Sequence, residues 1–282
     1  MHARKALALL LAVAPLAAFA EGDSPWLPIP GSAALTASHT EQSGNKGWIG
    51  DQKLSISDIT GGAATRYRRS TSALRLDYGI SDAFALDVAV AYAAVKSGNA
   101  DNSYGLADSV IGVSWRALDE LERPALPTLT LRLAGIVKGD YDAGRFAGIG
   151  NGASGVEVDA IVGKQFTSKW SGSAELGFQH RDSHIPNAAF IDIGTRYRFA
   201  PKWSASLGYS AKRYSGELDI GGPGFTLARF PEVREERQIA KIGVGYAFAG
   251  NQGVALSVGT VTGGRNTVQD QAIANLAYTF AF

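Results

Sequence analysis

The chain predicts an all-β fold, a transmembrane antiparallel up-and-down β-barrel of about twelve strands. Three observations carry that expectation. From Ala64 onward, runs of ten or so residues alternate apolar with polar side chains, and each run ends in a break. An alternation of period two belongs to a strand with one oily face. Charges keep to one parity of those runs, and large aromatics gather beside every second break. A bilayer imposes both patterns, because a charge on the lipid face costs about 2–4 kcal/mol at the midplane and aromatic girdles mark the interface.

The first twenty residues stand apart from this pattern. His2, Arg4 and Lys5 open a basic stretch, residues 6–14 are apolar, and Ala18-Phe19-Ala20 has the small-x-small form of a cleavage site. Residues 1–20 are therefore expected to be a cleaved export signal peptide. Residues 21–282 form one barrel domain of 262 residues, with 21–32 as its lead-in. Its 25 basic and 26 acidic residues leave no excess charge for a nucleic-acid partner. There is no cysteine, so packing and ladder hydrogen bonds must hold the fold. No apolar run beyond the signal reaches about 18 residues, which excludes a helical membrane protein.

Residues 33–41 offer a weak first strand. Before it, Pro25, Pro28 and Pro30 rule out a central strand, since proline lacks the ladder donor. That segment is either a loose lead-in or a piece that folds into the lumen from below and gates it. The second run sets Leu74, Leu76 and Tyr78 against Arg75 and Asp77, and the third sets Phe84, Leu86, Val88, Val90 and Tyr92 against Asp87. Ile111, Val113 and Trp115 oppose Ser114 and Arg116; Leu129, Leu131 and Leu133 oppose Thr130 and Arg132. Val156, Val158 and Val162 oppose Glu157 and Asp159, and Trp170, Leu176 and Phe178 oppose Ser171 and Glu175. Ile191, Ile193, Tyr197 and Phe199 oppose Asp192, Arg196 and Arg198. Trp203, Leu207 and Tyr209 then oppose Ser204, Ser206 and Ser210; Ile242, Val244, Tyr246 and Phe248 oppose Lys241; Val254, Leu256 and Val258 oppose Ser257. The last strand carries Ala274, Leu276, Tyr278, Phe280 and Phe282. Twelve is an even number, as single-chain bacterial barrels require, and the breaks alternate between short turns and longer loops. The longer ones are expected at 42–63, 97–105, 139–154 and 216–233, with both termini on the short-turn, periplasmic side.

Tyr78, Phe84, Trp115, Phe166, Trp170, Phe199, Trp203 and Phe248 lie beside the short turns, all on the oily parity. Twelve charges share the inward parity: Arg75, Asp77, Asp87, Arg116, Arg132, Glu157, Asp159, Glu175, Asp192, Arg196, Arg198 and Lys241. These are the expected lumen-lining residues, either a polar track for small solutes or a salt-bridge ladder that fills the barrel. Six of each sign argue against strong charge selectivity. Ile136, Ile161, Ile239 and Ile273 add inward apolar positions, a greasy patch or plain packing. Lys164 breaks the parity and is expected to snorkel to the interface. Arg66 and Arg68 take the outward parity at the outer rim, where they either contact lipopolysaccharide phosphates or stay solvated.

No enzyme is expected. Beyond the signal the histidines are His39, His180 and His184; residues 180–187 hold His, Ser, Asp and Asn together, but a short loop does not present them on converging strands, as a hydrolase would need. No metal-ligand spacing occurs, and Gly148-Ile149-Gly150-Asn151-Gly152 precedes no helix, so no cofactor is indicated.

The ending resembles the assembly signal of outer-membrane proteins, a strand closing on Phe with apolar residues at alternate positions. Tyr278, Phe280 and Phe282 carry it, and it implies recognition by the barrel-assembly machinery. Tyr78-Gly79-Ile80-Ser81-Asp82, and Gly105-Leu106-Ala107-Asp108-Ser109 followed by Ile111-Gly112-Val113-Ser114-Trp115-Arg116, resemble motifs of the "MetA-pathway of phenol degradation" family of outer-membrane transporters. Ala107 stands where the family usually has glycine. The resemblance implies passage of small molecules, apolar or aromatic ones among them. The expectation is thus a monomeric channel or facilitator in a Gram-negative outer membrane; the alternative is a closed-lumen barrel that serves export or assembly.

Overall fold

The computed structural model describes residues 23–98, 101–141, 148–248 and 251–282, residue 101 by its backbone only. The expected signal peptide lies outside the described residues.

Twelve staves close one antiparallel barrel. In chain order they are β1 (Ala33–Gly44), β4 (Tyr67–Gly79), β5 (Phe84–Ser97), a shared stave of β6 (Asp101–Leu106) and β7 (Ser109–Leu118), β8 (Thr128–Val137), β9 (Gly155–Gln165), β10 (Trp170–Arg181), β11 (Ala188–Ala200), β12 (Trp203–Tyr214), β13 (Glu236–Ala247), β14 (Gln252–Arg265) and β16 (Ala272–Ala281). Each pairs with its sequence neighbour, and β1 closes the seam against β16 with Leu35 opposite Phe280 and Ala37 opposite Tyr278. Ala33 and Phe282 exchange both backbone hydrogen bonds at 2.8 Å, so the seam is laddered to its end. A closed barrel leaves no bare edge, as a bilayer demands.

The outer mouth carries a second, small sheet of β2 (Lys46–Ile49), β3 (Gln52–Ser55) and β15 (Val268–Gln269), together with the single-turn helix α1 (Ile56–Ile59). Ser55 caps that helix by accepting from Asp58 N–H at 3.0 Å. Ile56, Tyr67, Val95, Tyr141, Ile149 and Val268 pack into one buried cluster, which seats this cap on the barrel.

The lipid face follows the parity. Leu74, Leu76, Val88, Val90, Ile111, Val113, Leu131, Leu133, Leu176, Leu207 and Leu256 are all exposed, while the alternate positions turn inward. The eight aromatics expected beside the short turns are exposed as well, and Tyr197, Tyr278, Phe280 and Phe282 extend their belt. Register makes the belt continuous: Phe84 faces Trp115, Trp170 faces Tyr197, and Trp203 faces Tyr246 with ring centroids 4.7 Å apart. Phe84 and Tyr92 on β5 mark the two edges of the oily band. Eight steps of ~3.3 Å at ~40° tilt give roughly 20 Å, close to the ~25 Å band of such barrels.

One local expectation needs correction. Residues 97–105 were expected to be a long outer loop, but β5 runs to Ser97 and β6 starts at Asp101. Their alternation is simply masked by polar residues, since both strands project beyond the lipid. Lys164 reaches with its ammonium toward the short-turn end of the barrel. It donates to the carbonyls of Pro124 and Leu126 at 2.6 and 2.8 Å, where an ammonium satisfies two turn acceptors at once.

Between β6 and β7 the stave is bulged. Tyr92 pairs with Leu106 and Ala89 with Val110, so the β6–β7 side spends one residue more than β5. Asp108 sits in the bulge and accepts from Gly139 N–H at 3.2 Å, from the Tyr141 hydroxyl at 2.5 Å and from Arg181. Burial, and then the bond to Asp108, push the Tyr141 phenol above its ordinary pKa. It stays a donor and pins the outer loop to the wall.

Candidate functional site

The lumen is built from the inward parity, and its centre is Arg132 on β8. This side chain is almost wholly buried and grips Asp87 on β5 through two bonds of 2.8 Å. It also donates to Glu157 at 2.8 Å and to Asp159 at 3.0 Å, both on β9. Arg75 on β4 adds a bond to Asp77 at 2.9 Å and lies 3.7 Å from Asp87. Forked guanidiniums suit this role, because each serves several carboxylates in a fixed plane. Gly112 makes the room. It faces Asp87 across β5–β7, and a Cβ there would stand 2.5 Å from Asp87 Oδ1 and 2.7 Å from Arg132 Nε.

The lead-in is the second component. Residues 23–30 enter the barrel from the periplasmic end as a strap: residues 28–30 lie against Gly79 on β4, and residues 23–26 reach β8–β10. Pro25 is fully buried, and its carbonyl accepts from Thr130 at 2.8 Å. The Trp26 indole donates to Glu120 at 2.9 Å. Gly163 on β9 lies beneath the strap, where a Cβ would meet Pro25 at 2.3 Å. Of the two readings left open for this segment, the fold adopts the one inside the lumen. Proline suits it, since a strap without ladder partners loses nothing by lacking N–H groups.

Asp23 reaches furthest. Its carboxylate bonds Arg75 and stands 3.0 Å from Arg132, while its N–H donates to Glu175 on β10 at 2.7 Å. Counting round the barrel, β4 and β10 are five staves apart in the strand order. One aspartate therefore touches nearly opposite walls.

Above it opens a cavity of about 490 Å³, within the range of small-molecule sites. Its floor includes Arg75, Arg132 and Glu175, and its upper wall is part aromatic, with Phe190, Tyr214 and Phe230. Lys212 projects there, 5.3 Å from the Tyr214 ring centre and 2.5 Å from Gln179 Oε1. Arg69 holds the roof by donating to the carbonyl of Ile149 at 2.9 Å.

All twelve charges expected in the lumen take the inward side, but they do different work. Arg75, Arg132, Glu157, Glu175 and Asp192 line the cavity. Asp77, Asp87 and Asp159 belong to the network at its floor. Arg116 and Arg198 instead donate to the carbonyls of Asp82 and Ser168 and fasten periplasmic turns. Arg196 and Lys241 are half-buried on β11 and β13. Ile136, Ile161, Ile239 and Ile273 are buried inside the barrel. Arg66 and Arg68 are exposed at the outer rim with outward parity.

Asp23, Lys212 and Arg237 join the site without having been expected there, and Arg69, expected only at the outer end of its strand, holds the roof. Arg237 is joined to Asp270, which also accepts from Gln42 at 3.0 Å. Parity extended by two residues from Ser210 and by four from Lys241 reaches Lys212 and Arg237. Nothing comparable marks Asp23, because the strap has no periodicity.

A family model described as "Putative MetA-pathway of phenol degradation" matches residues 49–277. The chain belongs to this family. Among solved structures it is similar to the COG4313 outer membrane channel from Pseudomonas putida F1, with a TM-score of 0.73, 16% identity, and coverage of 95% of this chain and 99% of that one. The KdgM porin matches with a TM-score of 0.51 at 10% identity, over 88% of this chain and 99% of the other. The translocator domain of the autotransporter NalP from Neisseria meningitidis matches at 0.50 and 12%, over 100% and 96%. No curated protein matches the sequence. These likenesses establish the fold, and the oily band with its aromatic girdle places the barrel in a bacterial outer membrane, in contact with lipid.

Proposed function

We propose that the protein is an outer-membrane channel or facilitator for passive entry of small molecules, aromatic and apolar compounds among them. One observation carries this reading: an amphipathic cavity of about 490 Å³ inside the barrel, floored by the strap and the Arg132 network. Solute enters through the outer loops, rests against the Phe190 and Tyr214 side of the cavity, and passes the Asp23 level when the strap shifts. The family's name and the channel similar to this chain agree with such a role. The protein acts without chemistry on its solute. Planar-bilayer recording and liposome swelling with small aromatic solutes test the reading. We expect small conductance steps and solute-dependent swelling; a reconstituted barrel that neither conducts nor takes up solute overturns it.

A second reading has its own support. Asp23 ties nearly opposite walls together, which suits a closed barrel serving export or assembly. In that case deletion of residues 23–30 leaves uptake unchanged. Under either reading the chain is exported by a cleaved signal, is handed to the barrel-assembly machinery through Tyr278, Phe280 and Phe282, works as a monomer, and offers Arg66 and Arg68 to lipopolysaccharide phosphates.

A further inference from the structure

The floor of the cavity carries more negative charge than its guanidiniums neutralise. Asp23, Asp77, Asp87, Glu157, Asp159 and Glu175 surround Arg75 and Arg132. Buried like charges of this number need protons or cations among them.

Three of the six carboxylates converge. Asp23, Asp159 and Glu175 each bring an oxygen within 4.8 Å of the other two, and Asp159 and Glu175 are buried. Two oxygens on one Ca²⁺, at about 2.3–2.6 Å each, stand no more than about 5 Å apart, so this spacing admits a shared ion. Asp159 gives a second, separate sign. Its side chain is fully buried; one oxygen accepts from Arg132 at 3.0 Å, while Oδ1 has no hydrogen-bond partner among the described residues. A buried carboxylate oxygen left without a donor costs free energy unless something fills the place. Gly177 lies opposite Asp159 and leaves room for the Phe190 ring, which a Cβ there would meet at 2.0 Å and which lies beside Oδ1.

We propose that a hard divalent cation, Ca²⁺ in the first instance, binds between Asp23, Asp159 and Glu175 and clasps the strap to the wall. The donors are carboxylate oxygens alone, which select Ca²⁺ or Mg²⁺ over softer metals. Asp23 belongs to the strap, while Asp159 and Glu175 belong to β9 and β10. The ion therefore joins the strap to the wall, and adds two positive charges where six carboxylates meet two guanidiniums.

The test is equilibrium dialysis of radioactive Ca²⁺ against chelator-treated, folded protein in detergent at neutral pH. One ion should bind per chain, and Asp159→Asn and Glu175→Gln should each weaken binding at least tenfold. Asp82→Asn, on an exposed turn, should leave it unchanged. Ca²⁺ should also raise the temperature at which heat-modifiable gel migration is lost, in the native protein and not in the two variants. Absence of saturable Ca²⁺ binding to the native barrel overturns the proposal even if both variants misfold. Equal binding by folded variants overturns it too, as does a melting temperature that follows pH and ignores Ca²⁺, which would assign the place to protons. None of these readouts depends on conductance, so they stand apart from the channel reading.

Discussion

Replacing Arg132 by methionine should be the most damaging single change in the lumen. Methionine keeps much of the volume and removes the charge and all donors. In the native protein the guanidinium makes bonds of 2.8, 2.8, 2.8 and 3.0 Å to Asp87, Glu157 and Asp159, and lies 3.0 Å from Asp23. Counting each at the ~1.5–3 kcal/mol of a bond to a charged group would give roughly 6–12 kcal/mol. That sum overshoots, because the orphaned carboxylates can take up protons or draw in water. The loss from breaking a buried pair by removing one partner, about 3–5 kcal/mol, is the better figure. Urea unfolding of the protein in lipid vesicles, followed by tryptophan fluorescence at neutral pH, reads it directly. Asp87→Asn in the Arg132→Met background should restore about 1–2 kcal/mol, since it removes one of the stranded charges. A loss below ~1 kcal/mol for Arg132→Met, or a double variant with fully additive losses, would refute the view that this network is a tightly coupled buried hub.

Gly163→Leu should drive the strap from the wall, because even a Cβ there meets Pro25 at 2.3 Å; single-channel conductance should rise, and an unchanged trace would mean that the strap does not limit passage. Deleting Phe282 removes the paired hydrogen bonds to Ala33 and the ring stacked 5.5 Å from Phe280. Assembled barrel in outer-membrane fractions should drop severalfold, and a normal yield would count against the terminal strand as an assembly signal. At the outer surface, hydrogen bonds from Arg265 hold the Asp219 carboxyl below its ordinary pKa. A depressed folded pKa stabilises the loop above the unfolded value of ~3.9 and loses that support as pH falls through the folded value. Cleavage of the 216–233 loop by an acid-active protease should therefore accelerate below about pH 4. Asp219→Asn should cleave fast at every pH, and a slow variant would argue that other contacts hold the loop.

The staves were legible because a barrel wall is solved locally: each strand must show lipid one face and the lumen the other, so Leu74, Arg75, Leu76 and Asp77 report their own placement. The belt was legible for the same reason, since Trp170 and Trp203 answer to depth in the membrane and to nothing further along the chain. The projecting β5–β6 hairpin was not, because strands beyond the bilayer have no oily face to keep.

What the lumen charges do was beyond the reach of parity. Arg116 and Arg132 have the same inward sign, yet one fastens a turn and the other gathers carboxylates from β5, β9 and the strap. That difference depends on height along the barrel and on which staves face each other across it. The membrane's demand acts residue by residue along a strand and so is written in the sequence: the fold, the orientation and the compartment follow from it. Convergence across a lumen joins positions as far apart as Asp23, Asp159 and Glu175, and no spacing records it. Only closure of the barrel brought those three together and turned a proline-rich lead-in into the floor of the cavity.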